Sequence, residues 1–240
     1  MAIAIRGTTP ATTSGNGATV SITLTGAQQP QAGDVLLIIH CNDFYALTNM
    51  PTPTVAGSTS GVTATGASAD AGTNLAHIKS YTYVVGSSGD LTVAVTETGA
   101  GDEEKALIVY VLSGADTTTP VDVAVGAVYT LLGISFMRAP SVSPTSSDAY
   151  LICHTNNGPS GAGTPVTPPT GMAETYDLYV TSVMATAGAV LQLSASGATG
   201  VKDFDTVNAV DHVGISVAIK TGAPAAAPPT LYQVSSGVRW

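Results

Sequence analysis

Four histidines and a few carboxylate groupings are the places where this 240-residue chain could do chemistry. His40 and His154 each end an apolar stretch. If those stretches were neighbours, the two imidazoles could reach one metal ion. A tetrahedral site needs two or three more ligands, and Asp43 is the only obvious one nearby in sequence. The expected role of each histidine is therefore to cap a strand end and hydrogen-bond a loop. His77 and His212 are further candidates. His212 follows Asp211, but neighbours along a strand point to opposite faces. Serine is plentiful, yet no Gly-x-Ser-x-Gly elbow stands between a strand and a helix. Asp102-Glu103-Glu104, followed by Lys105, lies in a Gly-rich connection. A glycosidase needs separated carboxylates facing one cleft, and a calcium loop needs a different acidic spacing. The run is expected to be a solvated hairpin tip. Asp203-Phe-Asp205 is weaker still. The Gly-rich stretch 57–66 lacks the Lys-Ser/Thr ending of a phosphate loop. The chain is expected to be no enzyme, with no catalytic residue, no metal site and no cofactor.

The elements that would position these residues are strands. Thr and Val are abundant, Gly and Pro punctuate the chain, and only 10% of residues are charged, so propensity favours strands and turns. Alternation or apolar runs predict strands over Thr19–Thr25, Asp34–Asn42, Gly61–Gly66, His77–Val85, Leu91–Glu97, Ala106–Ser113, Ser141–Ser143, Ala149–Asn156, Thr175–Ala185, Val190–Ser196 and His212–Thr221. Turn signals separate them. Val35-Leu-Leu-Ile-Ile is apolar on both faces, which places it inside a packed sheet system. The best helix candidate, around Val128–Phe136, is short. The expected fold is all-β, an antiparallel β-sandwich, jelly-roll-like, with an extended C-terminal tail.

A weak internal repeat aligns Asp34-Val-Leu-Leu-Ile-Ile-His-Cys-Asn42 with Asp148-Ala-Tyr-Leu-Ile-Cys-His-Thr-Asn156, putting His40 opposite His154. Each copy leads through a Pro-rich loop to a Tyr-containing strand and ends in an apolar strand. The period is too long for a solenoid. The two halves are expected to interleave in one sandwich domain over 1–221, with two small domains as the alternative. Cys41 and Cys153 are expected to be buried free thiols.

The chain carries 7 Lys and Arg against 16 Asp and Glu, a net charge of −9. That argues against nucleic acid, whose phosphates need a basic surface, and against anionic membranes. No apolar run approaches the ~18 residues of a membrane span. The opening lacks a basic region followed by an apolar one, so no signal peptide is expected.

The order of motifs resembles a family of β-sandwich proteins from tailed phages of actinobacteria. The similar pieces are Arg-Gly-Thr-Thr at 6–9, Gln-Ala-Gly-Asp-Val-Leu-Leu at 31–37, Ala-Pro-Ser-Val at 139–142, Pro-Pro-Thr-Gly-Met at 168–172 and Gly-Ala-Thr-Gly at 197–200. A further piece is Leu-Ser-Gly-Ala-Asp-Thr-Thr-Thr-Pro-Val-Asp at 112–122, of which Gly-Ala-Asp-Thr-Thr-Thr-Pro-Val-Asp is the most specific part. Members it resembles are minor tail or virion decoration proteins of jelly-roll-like fold, without a catalytic constellation. Met172 stands where many members have Trp. The resemblance implies a virion structural protein, assembled in the host cytoplasm, whose partners are other virion proteins of capsid or tail and further copies of itself as a homo-oligomer.

Residues 222–240 change character. A stiff Ala/Pro spacer leads to an apolar peptide in which Leu231, Tyr232, Val234, Val238, Arg239 and Trp240 are the expected partner-binding residues, because such a peptide can add to a neighbour's sheet edge. The competing reading is a carbohydrate- or cell-surface-binding module, with a surface glycan stacked on Tyr45, Tyr81, Tyr83, Tyr176 or Tyr179.

Overall fold

The fold is that of a computed structural model, which describes residues 2–7, 10–15, 18–42, 50–71, 76–97, 104–129, 134–157, 166–180, 184–209 and 212–222. The first half contributes β1 (Ala4–Ile5), β2 (Ala11–Gly15), β3 (Thr19–Leu24), β4 (Val35–Asn42), β5 (Thr54–Val55), β6 (Thr63–Asp70), β7 (His77–Val84), β8 (Leu91–Thr96) and β9 (Lys105–Ser113). The second contributes β10 (Val121–Tyr129), β11 (Ile134–Ala139), β12 (Tyr150–Asn157), β13 (Ala173–Val180), β14 (Met184–Gln192), β15 (Lys202–Ala209) and β16 (His212–Ile219). Among the described residues the only helical turn is the 3-10 turn Gly26–Gln28. Of the span Val128–Phe136, expected to be helical, Val128 and Tyr129 end β10 and 134–136 begin β11, while 130–133 lie outside the described residues. Its β-branched and aromatic residues suit a pleated strand better. Ser141–Ser143, expected as a strand, is irregular. The span Thr175–Ala185 takes in parts of two strands, β13 and β14.

Each half is a two-sheet antiparallel sandwich. In the first, an inner sheet runs β1-β9-β4-β7-β6, with β2 also on β9, and an outer sheet runs β3-β8-β5. In the second, the inner sheet runs β10-β16-β12-β14-β13 and the outer is β11-β15. Interleaving does not occur: every sheet draws its strands from one half, and the halves stack inner sheet on inner sheet. The reason is local pairing, since strands near in sequence find each other first at low entropic cost. Three buried clusters fill the gaps between the four layers. Leu36, Ile38, Val93 and Val109 pack inside the first half. Leu151, Cys153, Phe204 and Met172 pack inside the second. Between the inner sheets lie Leu37, Ile39, Ile108, Ile152, Ile215 and Val217. β4 and β16 are therefore buried along their whole length, which explains their apolar character on both faces.

The inner sheets meet unevenly. Along one margin β6 lies against β10 so closely that a Cβ added at Gly126 would stand 2.0 Å from the carbonyl oxygen of Ser68. The small residues of Thr63-Ala-Thr-Gly-Ala-Ser-Ala-Asp70 permit this approach. Towards the other margin Tyr110 and Tyr176 fill a wider gap.

The motifs of the resemblance fix the scaffold. The Arg6 guanidinium grips the Asp34 carboxylate with two nitrogens, joining the motif at 6–9 to that at 31–37. The motif at 139–142 bonds the one at 197–200: Thr199 N donates to Val142 O at 2.8 Å, and Val142 N donates to Thr199 Oγ1 at 3.1 Å. Gly171 holds φ +82° in the turn where Met172 N donates to Pro169 O. Met172 is buried in the second half's core. The stretch 112–122 links the two halves. Asp116 Oδ1 accepts from Thr118 N and Thr119 N, and the link is zipped to the end of β16 by Asp116 N to Lys220 O and Lys220 N to Pro120 O.

Gly126→Val forces β6 and β10 apart and is expected to cost about 2–3 kcal/mol. Gly86→Ala, where an added Cβ meets nothing within 4 Å, is expected to change stability by no more than about 0.5 kcal/mol. Urea denaturation of both variants checks the contrast, and equal losses would refute the close approach.

Candidate functional site

All four histidines are fully buried. They lie towards one end of the sandwich, where β4 and β12 finish and β7, β9 and β16 begin. Asn42 stands opposite both His77 and Lys105, and Asn157 opposite His212.

The aligned histidines are not equivalent in space. β4 and β12 hold the same place in their sheets, but Val35 corresponds to Tyr150, one residue out of step with the sequence alignment. Leu37 and Ile39 face the central layer, as do Ile152 and Tyr150. A one-residue slip reverses every side chain. His40 therefore points towards its own outer sheet, and His154 towards the facing half. Cys41 and Cys153 also lie in different layers, and both are free and buried. Burial pushes each thiol up to about 12, against a hydrogen bond to Thr186 for Cys41 and to Ser216 for Cys153.

One polar layer lies between β4, β9 and the end of β8. Glu97 is 4% exposed, and His40, Asn42 and Lys105 are wholly enclosed. His40 Nε2 lies 3.1 Å from Glu97 Oε1, which also accepts from Asn42 Nδ2 at 3.1 Å. Lys105 Nζ lies 3.4 Å from Oε2. Burial pushes the carboxyl up, but His40, Asn42 and Lys105 together outweigh it and hold the group below its usual range. The expected solvated tip is thus corrected in part. Lys105 begins β9 in phase with the inward-facing Leu107 and Val109, and Glu104 is 7% exposed, while Asp102 and Glu103 lie outside the described residues. Glu97, Lys105 and Asn42 escaped sequence reasoning. The available signal was a lysine in step with an apolar alternation.

A second layer lies between the inner sheets. Gly188 on β14 sits opposite both His154 and Tyr176, and its missing side chain leaves room for the Tyr176 ring and the Tyr110 hydroxyl. The polar groups form one directed chain. Thr186 Oγ1 donates to Thr155 O at 2.9 Å, so it accepts from the Tyr176 hydroxyl at 3.2 Å. The Tyr176 oxygen in turn accepts from His154 Nδ1 at 2.7 Å. This assigns the proton of the neutral ring to Nδ1 and leaves Nε2 bare, without a hydrogen-bond partner among the described residues. Tyr110 meets His154 edge-on and bonds Thr175 at 2.7 Å. Asn156 crosses between the halves, its Nδ2 donating to Asn42 O at 3.1 Å and His77 O at 3.0 Å. His77 pairs with Asp70 at 2.9 Å, though burial outweighs the carboxylate and lowers its pKa.

Other expectations fall as follows. His212 Nε2 accepts from Arg138 N at 2.9 Å, while Asp211 lies outside the described residues. Asp203 pairs with Arg138 at 2.6 Å. Tyr81 is buried, and Tyr176 is half-buried with its hydroxyl turned inward to His154 and Thr186, which leaves neither ring free to stack on a sugar. Tyr83 is half-buried beside a cleft of about 300 Å³ lined by Thr63, Thr65, Thr117, Thr118 and Thr119. Tyr45, the side chain of Tyr179, and the tail residues Leu231, Tyr232, Val234, Val238, Arg239 and Trp240 lie outside the described residues. Among the described residues no three His, Cys, Asp or Glu side chains gather as a metal site, and no helix is long and apolar enough to cross a membrane. No protein-family model matches the chain, and no curated protein matches it.

Burial lowers the His154 pKa from 6.5 to about 3. The unfolded chain therefore binds a proton that the folded chain refuses throughout that window. Stability is unaffected by this group above pH 6.5 and falls below it, by up to about 1.4 kcal/mol per pH unit. His77, lowered likewise, adds to the slope. Urea midpoints between pH 6.5 and 5, above the range of Glu97, are expected to fall less steeply in His154→Gln than in the parent. Equal slopes would refute the buried neutral imidazole.

Proposed function

We propose that this chain is a non-enzymatic structural protein of a phage particle, a minor tail or capsid decoration component that works by protein–protein contact. Its partners are other virion proteins and further copies of itself. The observation that carries this reading is that the motifs of the phage-protein resemblance find structural work: Arg6 holds Asp34, 139–142 bonds 197–200, and 112–122 joins the halves. A second support is where the titratable groups sit. The histidines and Lys105 are enclosed in sheet interiors, out of reach of an outside substrate. Strand order supports the jelly-roll-like expectation. With β1 and β2 counted as one, the first half runs its first, eighth, third and sixth strands in one sheet and its second, seventh and fourth in the other. The fifth, β6, departs from that order to sit beside the sixth.

The full chain and a chain ending at Gly222 are to be produced during phage infection, and purified particles quantified for each by mass spectrometry. The full chain is expected in particles at a fixed copy number, and the truncated chain at least tenfold below it. Particles without the full chain would overturn the virion reading. Equal occupancy would overturn docking through Leu231–Trp240 alone.

The glycan-binding reading is favoured by the cleft beside Tyr83, where threonine hydroxyls flank an aromatic ring without a charged side chain in the lining. A glycan-array screen followed by titration tests it. Tyr83→Ala is expected to weaken any bound sugar by roughly tenfold, the loss of one stacked ring. An array without binding removes this reading.

A further inference from the structure

Lys105 and Asn42 are direct cross-strand partners in the antiparallel pair β9–β4, a position that sets Cβ atoms about 5 Å apart. Both point into the layer between the first half's inner and outer sheets, where Leu107 and Ile38 also point. The two side chains are wholly enclosed, and Glu97 is 4% exposed. One carboxyl touches both: Oε1 accepts from Asn42 Nδ2 at 3.1 Å, and Oε2 lies 3.4 Å from Lys105 Nζ. The Asn42 carbonyl oxygen Oδ1 is buried without a hydrogen-bond partner among the described residues. An amine, a primary amide and a carboxyl able to move protons between them are thus held together in a dry compartment.

We propose that Lys105 and Asn42 become joined by an intramolecular isopeptide bond, formed by the folded chain itself with Glu97 as the proton carrier. Enclosure in an apolar layer favours neutral groups over separated charges. In the reactive state a proton moves from the Lys105 ammonium onto Glu97, against the neighbours that hold the carboxyl ionised at rest, leaving a free amine and a carboxylic acid. The Nζ lone pair attacks Asn42 Cγ, and the displaced carbonyl pair collects on Oδ1 while Glu97 stays between Nζ and Nδ2. Glu97 then takes the surplus proton from Nζ and delivers it to Nδ2. The Cγ–Nδ2 bond breaks as the carbonyl at Oδ1 reforms, and ammonia leaves. Amine and primary amide become secondary amide and ammonia, so the step needs no oxidant, reductant or metal. Fixed proximity supplies much of the acceleration. His40, 3.1 Å from Oε1, is a positioning residue for the carboxyl.

The second half cannot do the same. Asn157 ends β12 as Asn42 ends β4, but its cross-strand partner is His212, which has no amine. Asn157 Oδ1 is already occupied by Ala185 N at 2.8 Å. The bond would staple β4 to β9 in the first half alone and raise the barrier to pulling them apart. It transforms no outside molecule and does not depend on the virion reading.

The test is the intact mass of the purified full chain under denaturing conditions, followed by protease mapping. The parent is expected to be lighter than its sequence by one ammonia, with a branched peptide containing Asn42 and Lys105. Lys105→Arg and Glu97→Gln are expected at full sequence mass, and Asn42→Asp is expected to lose water in place of ammonia. A parent chain at full sequence mass would overturn the proposal. So would ammonia loss mapped to a succinimide in a linear peptide. Because the deciding measurement is on the parent, a variant that fails to fold does not rescue the idea.

Discussion

Two inner sheets, each already covered on its far side, must bury their near sides against each other. The rest of the molecule follows from that constraint. It makes β4, β9, β12 and β16 apolar on both faces, because a strand between two packed layers has no face left for water. It also leaves polar strand ends without solvent. Where β4 and β12 finish, every group enclosed between layers must find a partner within the protein or carry a desolvation cost. The Asn156 bridge to Asn42 O and His77 O and the chain from His154 through Tyr176 and Thr186 to Thr155 are the local answers. They also make the packing of the halves specific, since a directed hydrogen-bond chain tolerates less sliding than an apolar seam.

The uneven gap between the inner sheets has the same origin. Small side chains on β6 and Gly126 on β10 bring one margin to backbone contact, and two tyrosines hold the other open. Such a wedge cannot be symmetric. The halves share strand order and divide at the motif 112–122, yet facing positions carry different residues. Tyr110 on β9 corresponds to Val217 on β16, since Asn42 faces Lys105 as Asn157 faces His212.

Much of this was legible in the sequence. The all-β class, the central strands and the burial of both cysteines follow from propensity and from apolar runs that only a doubly covered strand can carry. The two-residue strands β1 and β5 were missed, as were β2, β10, β11 and β15, because a strand covered on one face and broken by small or polar residues has little periodicity to read. The site was less legible, for two reasons. Aligning Asp34 with Asp148 matched residue types and misplaced the phase by one, and a period-2 element turns that slip into the opposite face. The acidic run before Lys105 read as solvated because charge usually is. Lys105 itself belongs to the strand, and Glu97, eight positions earlier and just past a strand of the other sheet, is brought to it only by the packing of two sheets. No local pattern encodes a contact made across layers.

The contrast between the halves at this end bears on what the first half's charges are for. Asn157 and His212 meet the same enclosure with neutral hydrogen bonds, accepted from Ala185 N and from Arg138 N. The fold thus has a charge-free solution at equivalent positions, and Lys105 with Glu97 is not required by the architecture. A buried ion pair gains little over well-packed neutral residues once both ions have been stripped of water. Stability alone therefore gives no reason to place an amine and a carboxylate here, in contact with an amide. A reaction that consumes the amine and leaves a neutral secondary amide would remove the charge from the layer for good, and the costly arrangement would then be the precursor and not the finished protein.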